Sequence, residues 1–302
     1  MKRTPLFVLS VFGLCSAGFA APCASTVYNA SWNGLTRQYM ICVPAKLPAN
    51  PAMVFYLHGT GYGKAAPWQA INQWSEVAIQ NSFIVVFPLS TYNPFNSGWW
   101  YWQSYDLDFA FYPNPPDDAG FLRNLIQTLT VQYSANPNAI YMTGLSSGAL
   151  MTQRMGVTSA DLLAAIAPVS GQLYIKQMTD AWTAPPAPAA PISVLELHGD
   201  ADTDLPYCGS TPNVHWALSF LNLPPVDVDV NFWLQADGLP PNPTPLCSGT
   251  GSSAVPTVDV DGVDVVGNGV EVKFVRELGV GHVWPSTAYS TVWQFFAGRT
   301  KE

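Results

Sequence analysis

Three side chains that could form a nucleophilic serine site are spaced along this sequence. Ser146 is the middle residue of GLSSG, Asp202 lies in GDADTD, and His282 follows GVG. A serine hydroxyl is a weak nucleophile until a neutral imidazole accepts its proton, and a carboxylate must orient that imidazole. The pattern therefore indicates acyl transfer through a covalent serine intermediate.

The sequence around Ser146 has the composition of a strand, a sharp turn and a helix. Ile140 to Met142 form an apolar run, as in a buried strand, and apolar residues from Ala149 to Met155 follow at helical spacing. The two glycines of the motif let a strand and a helix press close on either side of the turn. We therefore predict a helix that begins near Ser147, with Ser146 exposed at the carboxyl end of the sheet.

Three aspartates are candidates for the acid of the site. Asp200, Asp202 and Asp204 all come directly after the predicted strand Ile192 to His198. We take Asp202 as the first candidate. The residues alone leave Asp200 and Asp204 open as rivals.

His282 is the candidate base among the four histidines of the chain. It lies on a glycine-rich loop after the predicted last strand, Val270 to Val275. His58 and His198 each precede a glycine at the end of a predicted strand, where we expect them to shape loops. His215 lies on a predicted helix as an ordinary packing or surface residue. Activity should rise with pH as the His282 imidazole loses its proton.

Apolar runs and helical periodicities alternate along the chain. The predicted strands are 52–58, 83–88, 140–142, 163–168, 192–198 and 270–275, and the predicted helices are 68–80, 117–133 and 287–297. Alternation of this kind is typical of a mostly parallel sheet with helices on both faces. We predict the α/β class, in one domain from residue 21 to 302.

Less regular segments frame these elements. A hairpin with its turn at Asn33-Gly34 is predicted before the first central strand, with Leu35 to Val43 as its second strand. Ala184 to Pro191 has the composition of a surface loop. The pattern loosens beyond Tyr207, and we predict an edge hairpin near Val258 to Val266.

Residues Met1 to Ala20 have the pattern of a secretory signal peptide. Lys2 and Arg3 precede an uncharged apolar run, and small residues surround the expected cleavage point after Ala20. The net charge of −8, without a basic cluster, argues against nucleic acid and anionic membranes as partners. We expect a secreted chain that acts as a monomer.

Four cysteines follow the predicted leader. An even number in an exported chain indicates two disulfides, for which three pairings exist. We favour Cys23 with Cys42, which flank the predicted hairpin, and Cys208 with Cys247. No C-x-x-C spacing occurs, so we expect no metal site and no cofactor.

Four segments resemble one family of secreted esterases. They are LHGTG (57–61), YMTGLSSGALM (141–151), LHGDADTDLPY (197–207) and GVGHVWP (279–285). The family contains feruloyl and acetylxylan esterases, of carbohydrate esterase family 1, and polyhydroxybutyrate depolymerase-type esterases. The resemblance spans about residues 44–297 and implies the α/β-hydrolase fold. It also implies Ser146 as nucleophile, Asp202 as acid and His282 as base.

The chain departs from the family pattern at two places. Trp102-Gln103-Ser104 stand where the family often has a charged residue, and Asn136-Pro137-Asn138 replace an aspartate-proline pair that is followed by arginine. These changes concern substrate contacts and scaffold. They leave the three catalytic candidates untouched.

Further candidate residues concern the oxyanion and the substrate. The backbone N–H groups of Ser147 and Thr60 are the expected donors to the oxyanion. Four aromatic residues, Trp99 to Trp102, lie in a long predicted loop, and we predict Trp99, Trp100 and Trp102 as a substrate platform. Two of the four could instead pack beneath that loop. Trp284 is expected to line the same cleft, because it is close to His282.

The sequence thus predicts a secreted serine carboxylic-ester hydrolase acting on polymer-linked esters. Feruloyl or acetyl esters of plant polysaccharide and short-chain polyhydroxyalkanoate are both compatible substrates, because fold and triad do not specify the acyl group. A peptidase on the same fold and a non-catalytic binding protein remain as alternatives.

Overall fold

The computed structural model describes residue 23 and residues 26–62, 68–93, 99–104, 116–173, 184–209, 223–248, 255–256 and 262–301. The predicted leader and His215 lie outside these residues. Within them, no helix is both long enough and apolar enough to cross a bilayer.

The elements follow the predicted alternation. The helices are α1 (Trp68–Asn81), α2 (Asp118–Gln132), α3 (Ser147–Thr158), α4 (Val226–Ala236) and α5 (Ala288–Phe296). The strands are β1 (Val27–Trp32), β2 (Leu35–Cys42), β3 (Met53–Leu57), β4 (Gly61–Tyr62), β5 (Ile84–Leu89), β6 (Thr91–Asn93), β7 (Trp99–Tyr101), β8 (Ile140–Leu145), β9 (Ala165–Val169), β10 (Ser193–Gly199), β11 (Cys247–Ser248), β12 (Val255–Pro256), β13 (Gly262–Gly267) and β14 (Val270–Glu277).

Nine strands form one sheet in the order β1-β2-β5-β3-β8-β9-β10-β14-β13. The run from β5 to β14 is parallel throughout. Antiparallel pairs close both edges, with β1 and β2 at one side and β13 beyond β14 at the other. The carboxyl ends of the central strands therefore meet at one edge of the sheet, where ligands of such sheets bind.

Apolar side chains cover both faces of this sheet. Alternate residues of β3 enter two separate core clusters: Met53, Phe55 and Leu57 join one, and Val54 and Tyr56 join the other. Buried residues of α2, α3 and α4 complete the first cluster, and those of α1 and α5 complete the second. Helices thus pack on both faces, which confirms the predicted α/β class.

Two parts of the second half differ from the prediction. Helix α4 was not predicted, although Val226, Val230 and Trp233 lie on one buried face of it. Of the predicted edge hairpin, residues 258–261 lie outside the described part, and the remainder belongs to β13. This strand pairs with β14 through a turn at Asn268-Gly269, so the last strand is itself half of the hairpin.

The aromatic residues from 99 to 101 form a strand, and not part of a loop as predicted. Strand β7 pairs with β6 on one side and with β4 on the other, in a small antiparallel sheet. In this sheet Trp100 lies opposite Gly61. The aromatic segment is therefore held beside the loop that follows β3.

Both predicted disulfides are present. Cys23 bonds to Cys42 across 19 residues, and Cys208 bonds to Cys247 across 39 residues. The second bond ties the segment after Asp202 to the chain beyond α4. The backbone N–H of Cys247 also donates to the Asp227 carboxylate, at 2.9 Å, so this connection has two anchors.

Replacing both Cys208 and Cys247 with alanine should lower the free energy of unfolding by about 4 kcal/mol, because the unfolded chain gains the entropy of a long loop. The Cys23–Cys42 bond closes a shorter loop, so the free energy of unfolding of the Cys23→Ala/Cys42→Ala variant should fall by about 3 kcal/mol. Urea unfolding under non-reducing conditions measures both. An unchanged midpoint in the first variant would contradict a structural role for this bond.

Candidate active site

Ser146 occupies the turn between β8 and α3, where it is buried, with 8% of its surface exposed, and not exposed as predicted. Its backbone has φ 57° and ψ −122°, in a region that residues with a Cβ rarely adopt. The turn is held on both sides: the Ser146 N–H donates to Val169 O at 3.1 Å, and Ser146 O accepts from Leu150 N–H at 2.9 Å. Strain of this kind persists where the surrounding structure fixes it, and such sites are often functional.

The glycines of the motif are required by close packing. A Cβ at Gly148 would lie 2.2 Å from Leu57 O, and a Cβ at Gly144 would lie 2.6 Å from the Gly148 carbonyl carbon. Both clashes involve backbone, which has no flexible end to move away. The motif therefore lets α3 begin directly against the end of β3, as predicted from the glycines.

Asp202 and His282 meet in a direct hydrogen bond. The distance from His282 Nδ1 to Asp202 Oδ2 is 2.7 Å, and the Asp202 side chain is buried. The other oxygen, Oδ1, accepts the backbone N–H groups of Asp204 and Leu205, each at 2.9 Å. One carboxylate thus shapes its own loop and orients an imidazole on another loop.

The charge of Asp202 is strongly favoured. Burial alone would raise the pKa of this carboxyl, but the hydrogen bonds and charges of His198 and His282 outweigh it and hold the pKa well below its usual range. Asp202 is therefore an anion wherever the fold is intact at ordinary pH.

The two rival aspartates have other surroundings. Asp200 forms an ion pair with Arg276, at 2.7 Å, and accepts the Gly279 N–H at 2.6 Å. Asp204 is exposed to solvent. Of the three candidates left open by the sequence, Asp202 is the one that contacts His282.

The loops that carry Asp202 and His282 are also joined by a backbone hydrogen bond. The Ala201 N–H donates to Val280 O at 3.0 Å. A Cβ at Gly199 would lie 2.1 Å from the same Val280 oxygen, so glycine is required for this approach. The geometry of the pair Asp202 and His282 is therefore set by main-chain contacts on both sides.

The loop after β3 lies against the serine. The Cβ position of Gly59 is 3.2 Å from Ser146 Cβ, and Thr60 follows directly. His58 shapes this loop, as predicted: its Nδ1 donates to Gly59 O at 2.7 Å, and its Nε2 accepts the Ser90 N–H at 3.1 Å. Burial lowers the pKa of His58 to about 4, so the ring is neutral and the loop is fixed by a neutral tautomer.

The predicted aromatic contacts have different positions. Trp102 is completely buried and donates from Nε1 to His58 O at 2.9 Å. The prediction that Trp102 contacts substrate does not fit this position, because a side chain without exposed surface supports the loop from beneath. Trp100 is half-buried on β7. Trp284 is also partly buried, with its ring 5.3 Å from Tyr56 and 5.1 Å from Tyr289.

His198 is the residue of this region whose position the sequence did not indicate. We predicted that it shapes a loop, and its Nε2 does lie 2.8 Å from Leu205 O. The same nitrogen also lies 3.4 Å from Asp202 Oδ2, the oxygen that His282 contacts. A histidine four residues before the acid, at the end of its strand, was the available signal.

The order of the sheet and the serine turn define an α/β hydrolase. The chain belongs to the Phospholipase/Carboxylesterase family, which it matches over residues 38–222. This agrees with the predicted fold and with the predicted class of hydrolase.

The curated relatives include a poly(3-hydroxyalkanoate) depolymerase, acetylxylan esterases and feruloyl esterases, as the sequence resemblance predicted. Poly(3-hydroxyalkanoate) depolymerase C of Paucimonas lemoignei is 30% identical over 179 residues, covering 55% of this chain and 42% of the relative. Acetylxylan esterase A of Talaromyces purpureogenus is 30% identical over 181 residues, covering 58% and 46%. Each match therefore spans less than half of the relative's length.

Solved structures support the fold. Acetyl xylan esterase from Aspergillus awamori superposes with a TM-score of 0.57 at 18% identity, covering 90% of this chain and 99% of the other. Poly(aspartic acid) hydrolase-1 from Sphingomonas sp. KT-1 gives 0.55 at 15% identity, covering 90% and 97%.

Replacing Asp202 with asparagine should reduce kcat roughly 10⁴-fold on any ester that the chain hydrolyses, because the amide favours the wrong tautomer of His282. The matched control is Asp204→Asn, two residues away and exposed, which should stay within about twofold of the parent. Steady-state kinetics on a small chromogenic ester measures both. Equal losses in the two variants would contradict the assignment of Asp202.

Proposed function

We propose that this chain is a serine carboxylic-ester hydrolase that works through an acyl-enzyme. The observation that carries the proposal is the 2.7 Å bond between Asp202 and His282, at the sheet edge where Ser146 occupies a strained turn. The three residues follow the ends of β8, β10 and β14, which are parallel strands of one sheet.

Each residue has one role. Because His282 Nδ1 is bonded to Asp202, Nε2 is the nitrogen left to accept the Ser146 proton as the serine oxygen attacks the ester carbonyl. The Asp202 carboxylate stabilises the imidazolium that forms. His282 then returns the proton to the departing alcohol, and water, activated by the same imidazole, releases the acid and restores Ser146.

The oxyanion requires donors that are fixed before the reaction. The Ser147 N–H is at the start of α3, where the first N–H groups of a helix have no intrahelical acceptor. The Thr60 N–H, on the loop that packs against Ser146, is the second proposed donor. Removal of one such donor typically costs about 10²- to 10³-fold in rate.

Polymer-linked esters are the proposed substrates. The relatives named above include a polyhydroxyalkanoate depolymerase and an acetylxylan esterase. The aromatic strand β7 pairs with β4, directly after the proposed oxyanion loop, so an extended substrate could contact it beside the serine. Export is proposed from the leader pattern together with the two disulfides, which oxidising compartments favour.

Hydrolysis of methyl ferulate, acetylated xylan and a polyhydroxybutyrate film by the parent chain and by Ser146→Ala tests the proposal. The parent should hydrolyse at least one, and Ser146→Ala should lose turnover by at least 10³-fold because no nucleophile remains. Ser290→Ala, an exposed serine on α5, is the control and should match the parent.

The outcomes separate the alternatives. Preference for xylan or ferulate would identify a plant-wall esterase, and preference for the film would identify a polyester depolymerase. Unchanged turnover in Ser146→Ala would overturn the nucleophile. No turnover by the parent on any of the three would favour a peptidase or a binding protein instead.

Replacing Trp100 with alanine should raise the half-saturating amount of a polymer substrate more than the KM for a small ester. We expect the half-saturating amount of the preferred polymer to rise about tenfold, as an aromatic contact of roughly 1.4 kcal/mol predicts. The KM for p-nitrophenyl acetate should change less than threefold. Trp32→Ala, at the far edge of the sheet on β1, controls for the loss of a tryptophan as such. An equal rise in both measures would count against β7 as the polymer contact.

A further inference from the structure

A second histidine faces the catalytic carboxylate from behind. His198 is completely buried at the end of β10, with Nε2 2.8 Å from Leu205 O and 3.4 Å from Asp202 Oδ2. On its other side, Nδ1 lies 3.9 Å from Glu196 Oε1. The same Asp202 oxygen is 2.7 Å from His282 Nδ1, so two imidazoles lie against one carboxylate oxygen.

The contacts of His198 restrict where its protons are. A carbonyl oxygen only accepts, so Nε2 carries a hydrogen that is directed at Leu205 O. Nδ1 is buried and has no hydrogen-bond partner among the described residues, and the same is true of both carboxyl oxygens of Glu196. A buried carboxylate is stable only beside a cation or with a proton of its own. A proton on Nδ1 would supply that cation.

We propose that His198 is an imidazolium at neutral pH and acts as a positioning residue, held between Glu196 and Asp202, that limits how strongly Asp202 binds the proton on His282. The proposal rests on the proposed function in that His282 is taken as the base. Its expected effect is that kcat/KM falls off at a lower pH than in a chain without this cation, because Asp202 Oδ2 faces both imidazoles.

The charges around His198 favour its proton. Burial lowers the pKa of His198, but the hydrogen bonds and charges of Asp202 and Glu196 outweigh it and raise the pKa to about 9. Burial raises the pKa of Glu196, and His198 opposes that rise. Asp229, on α4, adds a further buried acid beside Glu196.

The other groups that face His198 do not replace this cation. Tyr207 packs edge-on against the ring at 5.9 Å, and burial keeps its hydroxyl protonated. Arg276, opposite His198 on β14, is paired with Asp200, and its guanidinium carbon lies 5.9 Å from the centre of the Tyr207 ring. The positive charge nearest to Asp202 on this side is therefore that of His198.

Replacing His198 with glutamine should move the acidic limb of the kcat/KM profile to higher pH by roughly one unit, because a positive charge that faces the same Asp202 oxygen as His282 is removed. The glutamine amide can still donate to Leu205 O, so the loop keeps its contact. The matched control is Tyr207→Phe, which alters the packing beside His198 without removing a charge and should leave the limb in place. An unmoved limb in His198→Gln would overturn the proposal.

The protonation state can be read directly by NMR, since the chain has only four histidines. Long-range ¹H–¹⁵N spectra of the full chain between pH 5 and 10 should show one ring with both nitrogens protonated at pH 7. That ring should titrate near pH 9, and its signals should be missing in His198→Gln. A neutral His198 ring at pH 7 would overturn the proposal even in an active enzyme.

The two measurements also separate this inference from the proposed function. A chain without ester hydrolysis would defeat the proposed function, while the NMR spectra would still decide the state of His198. An active chain with a neutral His198 would retain the function and remove the inference.

Discussion

The close contact between the start of α3 and the end of β3 is the constraint on which the site depends. It leaves no room for a Cβ at Gly148, and the adjoining Ser146 has a positive φ, a backbone conformation that costs roughly 1–3 kcal/mol. Core packing on both faces of the sheet offsets that cost, because β8 and α3 are buried along almost their whole length. In this arrangement the serine lies against the loop at Gly59, which is proposed to supply an oxyanion donor.

Charge in the interior is the second constraint. Around β10 the fold buries Glu196, His198, Asp202 and Asp229, although isolated charges are unfavourable in such surroundings. Asp202 has the most hydrogen bonds of the four, since two backbone N–H groups and the His282 imidazole donate to it. The other buried polar groups lower stability where they lack a hydrogen-bond or charge partner. Deviations of this kind concentrate at functional sites.

Features with strong local signals could be predicted from the sequence. The central strands are apolar throughout, the glycines around Ser146 are close in sequence, and the cysteine pairs flank a hairpin and a loop. The fold class, the turn at Ser146 and the disulfides could therefore be predicted. Helix α4 was missed because its acids have tertiary partners: Asp229 points inward to accept the Leu173 N–H at 2.7 Å, which breaks the amphipathic pattern. The Asn268-Gly269 turn was a hairpin signal that the prediction did not use.

Burial and charge sharing could not be predicted, because they depend on which loops meet. Trp102 lies in an aromatic run that resembles an exposed platform, yet its indole supports His58 from inside the fold. His198 and Asp200 lie within four residues of Asp202, but β14 places Arg276 against Asp200, while His198 faces Asp202 Oδ2. The neighbouring strand therefore decides which of these two side chains is paired with an arginine. A single sequence gives the candidates for the triad, while the charge state of the site is set by packing between segments that are distant in sequence.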